Sequence, residues 1–179
     1  MVYLLLADGF EEVEALAPLD ILRRGGIEVR TVGVSGKNVT GSHGITVQAD
    51  ILPEEAIDIP ELVVFPGGMP GSLNLDSAEI TDILIDRALK NGGALAAICA
   101  APLILGKRGL LVGKKAICYP GFESYLEGAI IAADPVVTDC AFTTAKGMGV
   151  AFEFGLALLA RLASPQKAEE IAASAQYSK

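Results

Sequence analysis

Three short apolar runs, Val2–Leu6 (VYLLL), Leu62–Phe65 (LVVF) and Ala94–Ile98 (ALAAI), show no alternation of apolar with polar residues. A strand with one wet face alternates, so unbroken runs mark strands covered on both faces, as in a parallel sheet between two helix layers. Each run is followed by a segment of helical spacing, at residues 11–24, 78–90 and 101–107, and a fourth strand-like run occupies residues 28–34. Strand and helix in alternation predict βαβ units, and hence an α/β three-layer sandwich around a mostly parallel central sheet.

Between these units, residues 37–50 carry turn residues from Thr40 to Gly44 flanked by two strand-like pieces, which predicts a hairpin. Short strands are expected again at 116–118, 136–138 and 142–144, then a helix over 149–163. Ser164 and Pro165 follow, a cap and a first-turn proline for a last helix. With 179 residues, 51% of them apolar and 20% charged, the chain has material for one core, and a single domain over 1–179 is expected. The net charge of −8, with 14 scattered Lys and Arg, argues against a nucleic-acid footprint. The opening run lacks a basic flank and no apolar stretch is long enough for a membrane span, so a cytoplasmic protein is expected. Cys99, Cys118 and Cys140 are odd in number and have no metal-ligand spacing, which disfavours disulfides and zinc.

The stretch GGALAAICAAPLILG runs an apolar strand into Cys99, with small residues around it, before a helical run begins. It reads as a nucleophile elbow, in which the positions two before and two after, here Ala97 and Ala101, must be small because strand and helix approach closely. A helix start beyond Cys99 would favour its thiolate. A small core cysteine fits the same pattern.

FPGGMPG follows the strand Leu62–Phe65, and glycines there let backbone amides turn towards a ligand. Neither Gly-Lys pair has phosphate-loop spacing. In DGFEEVEALAPLDILRR, Glu11 and Glu12 fall in a first helical turn, where acids suit the helix dipole. Glu14 shares a helical row with Pro18, Ile21 and Leu22. That row points it at the core, where a carboxyl has a raised pKa and can donate a hydrogen bond to a thiolate; a rim position reaching water is the alternative.

Taken with TTAKGMGVAFEFGLAL near the end, the motifs LLLADGFEEVEAL, VVFPGGMPG and AAICAAP resemble, in order and spacing, the ThiJ/PfpI superfamily. Within it they look like the deglycase-like branch of Parkinson disease protein 7 and its bacterial relatives. The resemblance covers nearly the whole chain. It implies a flavodoxin-like fold, a homodimer, Cys99 as the oxidisable nucleophile and Glu14 as its protonated partner. It also implies an oxyanion hole from the amides of Gly68 and Ala100, with Gly67, Tyr119 and His43 as pocket-lining candidates. Protease and amidotransferase relatives pair their cysteine with a histidine, whereas here Ala100 follows Cys99 and the only histidine is His43. Relatives linked to glyoxalase activity often carry a histidine before the proline of the segment matching AICYP, where this chain has Tyr119.

Two functions of different class follow. In one, Cys99 adds to a small reactive carbonyl such as methylglyoxal or its early glycated adducts, Glu14 moves the proton, and a hydroxy acid leaves without cofactor or metal. In the other, an oxidative-stress sensor or chaperone, Cys99 is oxidised to sulfinate. His43 also stands as a solvated loop histidine, and Lys146 as an anion-attracting group.

Overall fold

In the computed structural model, which describes residues 1–177, β1 (Val2–Leu6) leads through α1 (Glu12–Arg24) to β2 (Val29–Gly33) and a hairpin of β3 (Asn38–Thr40) and β4 (Thr46–Gln48). Then come β5 (Leu62–Phe65), α2 (Gly71–Asp76), α3 (Glu79–Lys90), β6 (Ala94–Ile98) and α4 (Pro102–Lys107). The last part holds β7 (Lys115–Ala116), β8 (Ile130–Ile131), β9 (Val136–Asp139), β10 (Phe142–Ala145), α5 (Ala151–Leu162) and α6 (Pro165–Ser174).

Six strands form the central sheet in the order β2-β1-β5-β6-β10-β9, and only the edge strand β9 runs antiparallel to its neighbour. This is the flavodoxin-like sandwich. Tyr3, Leu5, Val63, Phe65, Leu95 and Ala97 point to the layer of α2, α3 and α4, where they meet Leu75, Leu84, Ile104 and Leu105. Their neighbours Val2, Leu4, Leu6, Val64, Ala96 and Ile98 point the other way, onto Leu22 of α1, Phe154 and Leu158 of α5 and Ile171 of α6. Both faces of each strand are therefore dry, which is why the runs lack alternation.

The register places Phe65 beside Ala97 and Ala145 beside Ile98, so the parallel strands end together along one edge of the sheet. The chain leaves β1 outward to β2 and then returns to the other side of β1 as β5. In open α/β sheets, the crevice at such a reversal is where ligands bind.

Four elements differ from the sequence reading, one of them the short strand β8, which the sequence did not announce. The turn after β5 runs directly into α2, which the Gly and Pro residues of FPGGMPG conceal. The strand expected at 116–118 stops at Ala116. There the Ile117 amide is taken by Thr144 Oγ1 at 2.9 Å and the Tyr119 amide by the Cys99 carbonyl at 2.8 Å, so the chain bends towards the end of β6. The helix expected from 149 begins at Ala151, after a 3₁₀ turn over Met148–Val150. Ser164 and Pro165 behave as read: Ser164 Oγ accepts from the Lys167 amide at 3.1 Å, and Pro165 opens α6.

Helices α1 and α5 approach closely at Gly155. A Cβ there would stand 2.6 Å from Ile21 Cδ1 and 2.9 Å from Pro18 Cα, so the helices meet backbone to backbone at this level. Gly155→Val is expected to destabilise the fold by about 2 kcal/mol through overpacking, read as a lower denaturation midpoint; an unchanged midpoint would mean that this contact does not set the position of α1.

Candidate active site

Four strand ends deliver the residues that meet at the sheet edge: the loop after β1 continues into Glu14 of α1, β5 into Gly67 and Gly68, β6 into Cys99, and β10 into the segment reaching Met148. Cys99 has φ 64, in the left-handed region that side chains other than glycine rarely adopt. Its amide donates to the Ala145 carbonyl at 2.8 Å and its carbonyl accepts from the Tyr119 amide, which hold the turn on both sides. Ala97 and Ala101 are fully buried, as an elbow requires. Cys99 itself is only partly buried, whereas Cys118 lies in the core and Cys140 is exposed.

Glu14 is fully buried, on the row with Pro18, Ile21 and Leu22. Its Oε2 accepts from the Gly67 amide at 2.9 Å, and its Oε1 is buried with no hydrogen-bond partner. An unpartnered buried oxygen disfavours the charged form. Burial first, and the nearby Glu11 charge after it, push the Glu14 carboxyl up to about 7, although contacts from Cys99 and from the Gly67 and Met148 backbone pull the other way. Gly67 is obligatory here, because a Cβ would overlap both Glu14 Oε2 and the Cys99 Cβ.

The thiol departs from the expectation of a helix-stabilised thiolate. The helix beyond it, α4, has only six residues and begins three positions later, at Pro102. Burial, then the charge and hydrogen bonding of Glu14, push the Cys99 thiol up to about 12, against the backbone amides of Ala100 and Gly68, which favour the thiolate. That height belongs to a thiol facing an ionised Glu14. When the proton sits on Glu14, the repulsion is gone and the carboxyl becomes a donor. Each group is therefore harder to ionise while the other is charged.

The remaining candidates fall at two distances from this pair. Gly67, Gly68 and Ala100 touch it through their backbones. The Tyr119 backbone holds the Cys99 turn, while its ring is half-exposed beside Gly147. His43 is placed elsewhere: its ring meets Glu12 Oε2 at 2.9 Å and its amide donates to Glu12 Oε1 at 2.7 Å, on the outer side of the start of α1. Glu12 raises the His43 pKa and is itself lowered by His43, so this pairing weakens as rising pH deprotonates the ring. Lys146 is exposed, one residue beyond the Ala145 carbonyl.

Sequence reasoning missed three contributors. Glu11 is not inside the helix but caps it, with Oε2 accepting the Glu14 amide at 2.7 Å; an acid three residues before Glu14 was the available signal. The buried Glu12 gathers the hairpin through His43 and Ile45. The Met148 backbone contact with Glu14 comes from a residue 134 positions away, and no local pattern announces it. A separate groove of about 790 Å³, lined by Val136, Thr138, Leu156, Ala157 and Tyr177 among others, brings no residue to Cys99 or Glu14.

Comparison with known proteins places this geometry among relatives. The description of the DJ-1/PfpI family matches residues 1–161. Protein DJ-1 homolog B of Arabidopsis thaliana is 36% identical over 170 residues, 93% of this chain, which spans only 39% of that longer protein. The glutathione-independent glyoxalase DJR-1.2 of Caenorhabditis elegans is 29% identical over 94% of this chain and 91% of its own length. The structure of oxidised DJ-1 from Toxoplasma gondii superimposes with a TM-score of 0.95 at 32% identity, covering 99% of this chain and 98% of that one.

A buried carboxyl whose pKa is raised in the folded state from 4.5 to about 7 is protonated without penalty in acid and charged at a cost above neutrality. The penalty grows as pH rises from 4.5 to about 7 and amounts to about 3 kcal/mol. Glu14→Gln, which avoids it, is expected to gain stability relative to the unsubstituted protein across that interval in denaturant titrations. A constant difference at all pH values would show that Glu14 is not charged against its environment.

Proposed function

The chain belongs to the DJ-1/PfpI family, and from that premise we propose that it acts on reactive carbonyls, with Cys99 as nucleophile and Glu14 as proton carrier. The observation that carries this reading is the placement of the pair: Glu14 is fully buried with Oε2 on the Gly67 amide, and Cys99 stands beside it at a turn with φ 64. With the proton on Glu14, the Cys99 thiolate adds to the aldehyde carbon of an α-oxoaldehyde such as methylglyoxal. A carbon–sulfur bond forms, the carbonyl π pair moves to oxygen, and the Gly68 and Ala100 amides are the donors proposed for that oxyanion.

Glu14 gives its proton to that oxyanion, forming the hemithioacetal; the Glu14 carboxylate then takes the hydrogen of the former aldehyde carbon as a proton and returns it at the neighbouring carbon through an enediol, while the hydroxyl proton passes from the first oxygen to the second. This leaves a 2-hydroxyacyl thioester on Cys99. Water hydrolyses it to the hydroxy acid and restores the thiol, so the net change is methylglyoxal plus water to lactate. One carbon is oxidised and its neighbour reduced, so the balance needs no cofactor. Early adducts of the same carbonyl on amines or thiols present the same reacting group after release. The name of the worm relative, a glutathione-independent glyoxalase, supports this reading.

A second reading rests on the same sulfur. Peroxide takes the Cys99 thiolate to sulfenate with loss of water, and a second peroxide takes it to sulfinate. Donors from the turn and from protonated Glu14 favour that anion, and an oxidised state is known for the Toxoplasma relative. We also assign one domain to the chain, a cytoplasmic setting on its free cysteines, and a homodimer.

Lactate formation from methylglyoxal tests the first reading. Cys99→Ser is expected to reduce it to background and Glu14→Gln to lower kcat by about 10²-fold, while absence of turnover in the intact protein would reject it. Intact-mass analysis across a peroxide titration tests the second. A persistent two-oxygen adduct on Cys99 is expected, diminished in Glu14→Gln and smallest in Glu14→Leu, and identical profiles in all three would exclude Glu14 from the oxidised state.

A further inference from the structure

Strand β9 and helices α5 and α6 border the separate groove of about 790 Å³, a size suited to a small organic molecule. Neither Cys99 nor Glu14 lines it, and the proposed reaction makes no use of it. Its apolar lining comes from three elements: Val136 of β9, Leu156 and Ala157 of α5, and Ala168 and Ala172 of α6. Three of these are alanines, which leave open a space that longer side chains would occupy. One wall is fixed in place. Tyr177, which also lines the groove, stacks its ring on Phe152 with centroids 4.6 Å apart and donates its hydroxyl to Glu153 Oε1 at 2.8 Å.

Three carboxylates line the same groove, each from a different part of the chain: Asp134 just before β9, Glu153 of α5 and Glu169 of α6. Among the described residues no Lys, Arg or His lines it, and none of these three acids has an ion-pair partner. Glu170, the next residue along α6, does have one, with Lys167 at 3.1 Å. Single exposed acids are ordinary on a chain of net charge −8. Here they border an apolar concavity, and a cleft of one charge sign with low-dielectric walls concentrates the field that draws a counter-ion. A neutral apolar guest would gain the lining alone, and an anion would be repelled. A bare metal ion would leave the apolar lining unused.

We infer that this groove is a second binding site, for a small organic ammonium ion with an apolar body. The cation faces Asp134, Glu153 and Glu169, and the aryl or alkyl part lies on the lining of Leu156, Ala157 and Ala172. Binding here needs neither Cys99 nor Glu14.

Backbone amide shifts of the full chain, followed by heteronuclear NMR, read occupancy at Leu156, Ala157, Ala168 and Ala172. The probes are phenethylammonium, the neutral phenethyl alcohol and the anionic hydrocinnamate. Phenethylammonium is expected to move these resonances together and to bind roughly tenfold more tightly than the alcohol, the factor for several partly screened carboxylates. Hydrocinnamate is expected to bind most weakly, and high salt to remove most of the preference. Glu153→Gln combined with Glu169→Gln should bring the ammonium down to the affinity of the alcohol while the alcohol binds as before. Ala172→Phe, which fills the groove, should weaken both, and Cys99→Ser should change neither.

An alcohol that binds as well as the ammonium, an ammonium indifferent to the paired Gln substitutions, or shifts scattered over the acidic surface would each overturn the inference. So would movement of the same amides with protein concentration alone, which would give the groove to a second copy of the chain. Loss of binding in Cys99→Ser would overturn it too, by placing the amine at the reactive sulfur. Lactate formation from methylglyoxal bears on the carbonyl reading alone, so the failure of either leaves the other standing.

Discussion

Mutual repulsion between a buried carboxyl and a partly buried thiol is the interaction on which the proposed chemistry depends. Glu14 and Cys99 are each held from water, and each ionised form raises the cost of ionising the other. A lone carboxyl at this depth would simply stay neutral, and a lone thiol would be inert. Together each is harder to ionise while the other is charged. Amide donors at Gly68 and Ala100 favour the charge on sulfur.

The fold supplies this pair by geometry that is costly to alter. Cys99 sits at a left-handed φ because the Ala145 carbonyl and the Tyr119 amide fix the backbone on either side. Glu14 reaches it because α1 is anchored at two levels. At its start the Glu11 cap, the Glu11 amide on the Gly67 carbonyl and the Glu12 contacts to the hairpin hold the first turn. At its middle the close approach of Gly155 to Pro18 sets its distance from α5. Gly67 then completes the arrangement by having no side chain to place between carboxyl and sulfur.

The sheet and the two positions that meet at its edge, Glu14 and Cys99, were legible in the sequence for the same reason: both leave a local mark. Dry strands show as unbroken apolar runs, Glu14 shows as an acid on an apolar helical row, and Cys99 shows as a cysteine between small residues at a strand end. What was not legible comes from distant partners. The Met148 backbone reaches Glu14 from beyond β10, and His43 meets Glu12 across 31 positions. The upward push on the thiol was not legible, because a helix start is visible in sequence whereas burial beside a carboxyl is a property of the assembled site. The motif FPGGMPG likewise concealed α2, since its Gly and Pro residues read as a turn until the helix that follows is seen.

The most direct measurement of this coupling is the ultraviolet absorbance of the Cys99 thiolate, taken as the difference between the unsubstituted protein and Cys99→Ser across a pH titration. The account predicts that thiolate absorbance appears at a lower pH in Glu14→Gln than in the protein with Glu14, because the substitution removes the carboxylate charge that pushes the Cys99 thiol up. The same midpoint in both proteins would contradict it, because Glu14 would then exert no charge on the sulfur.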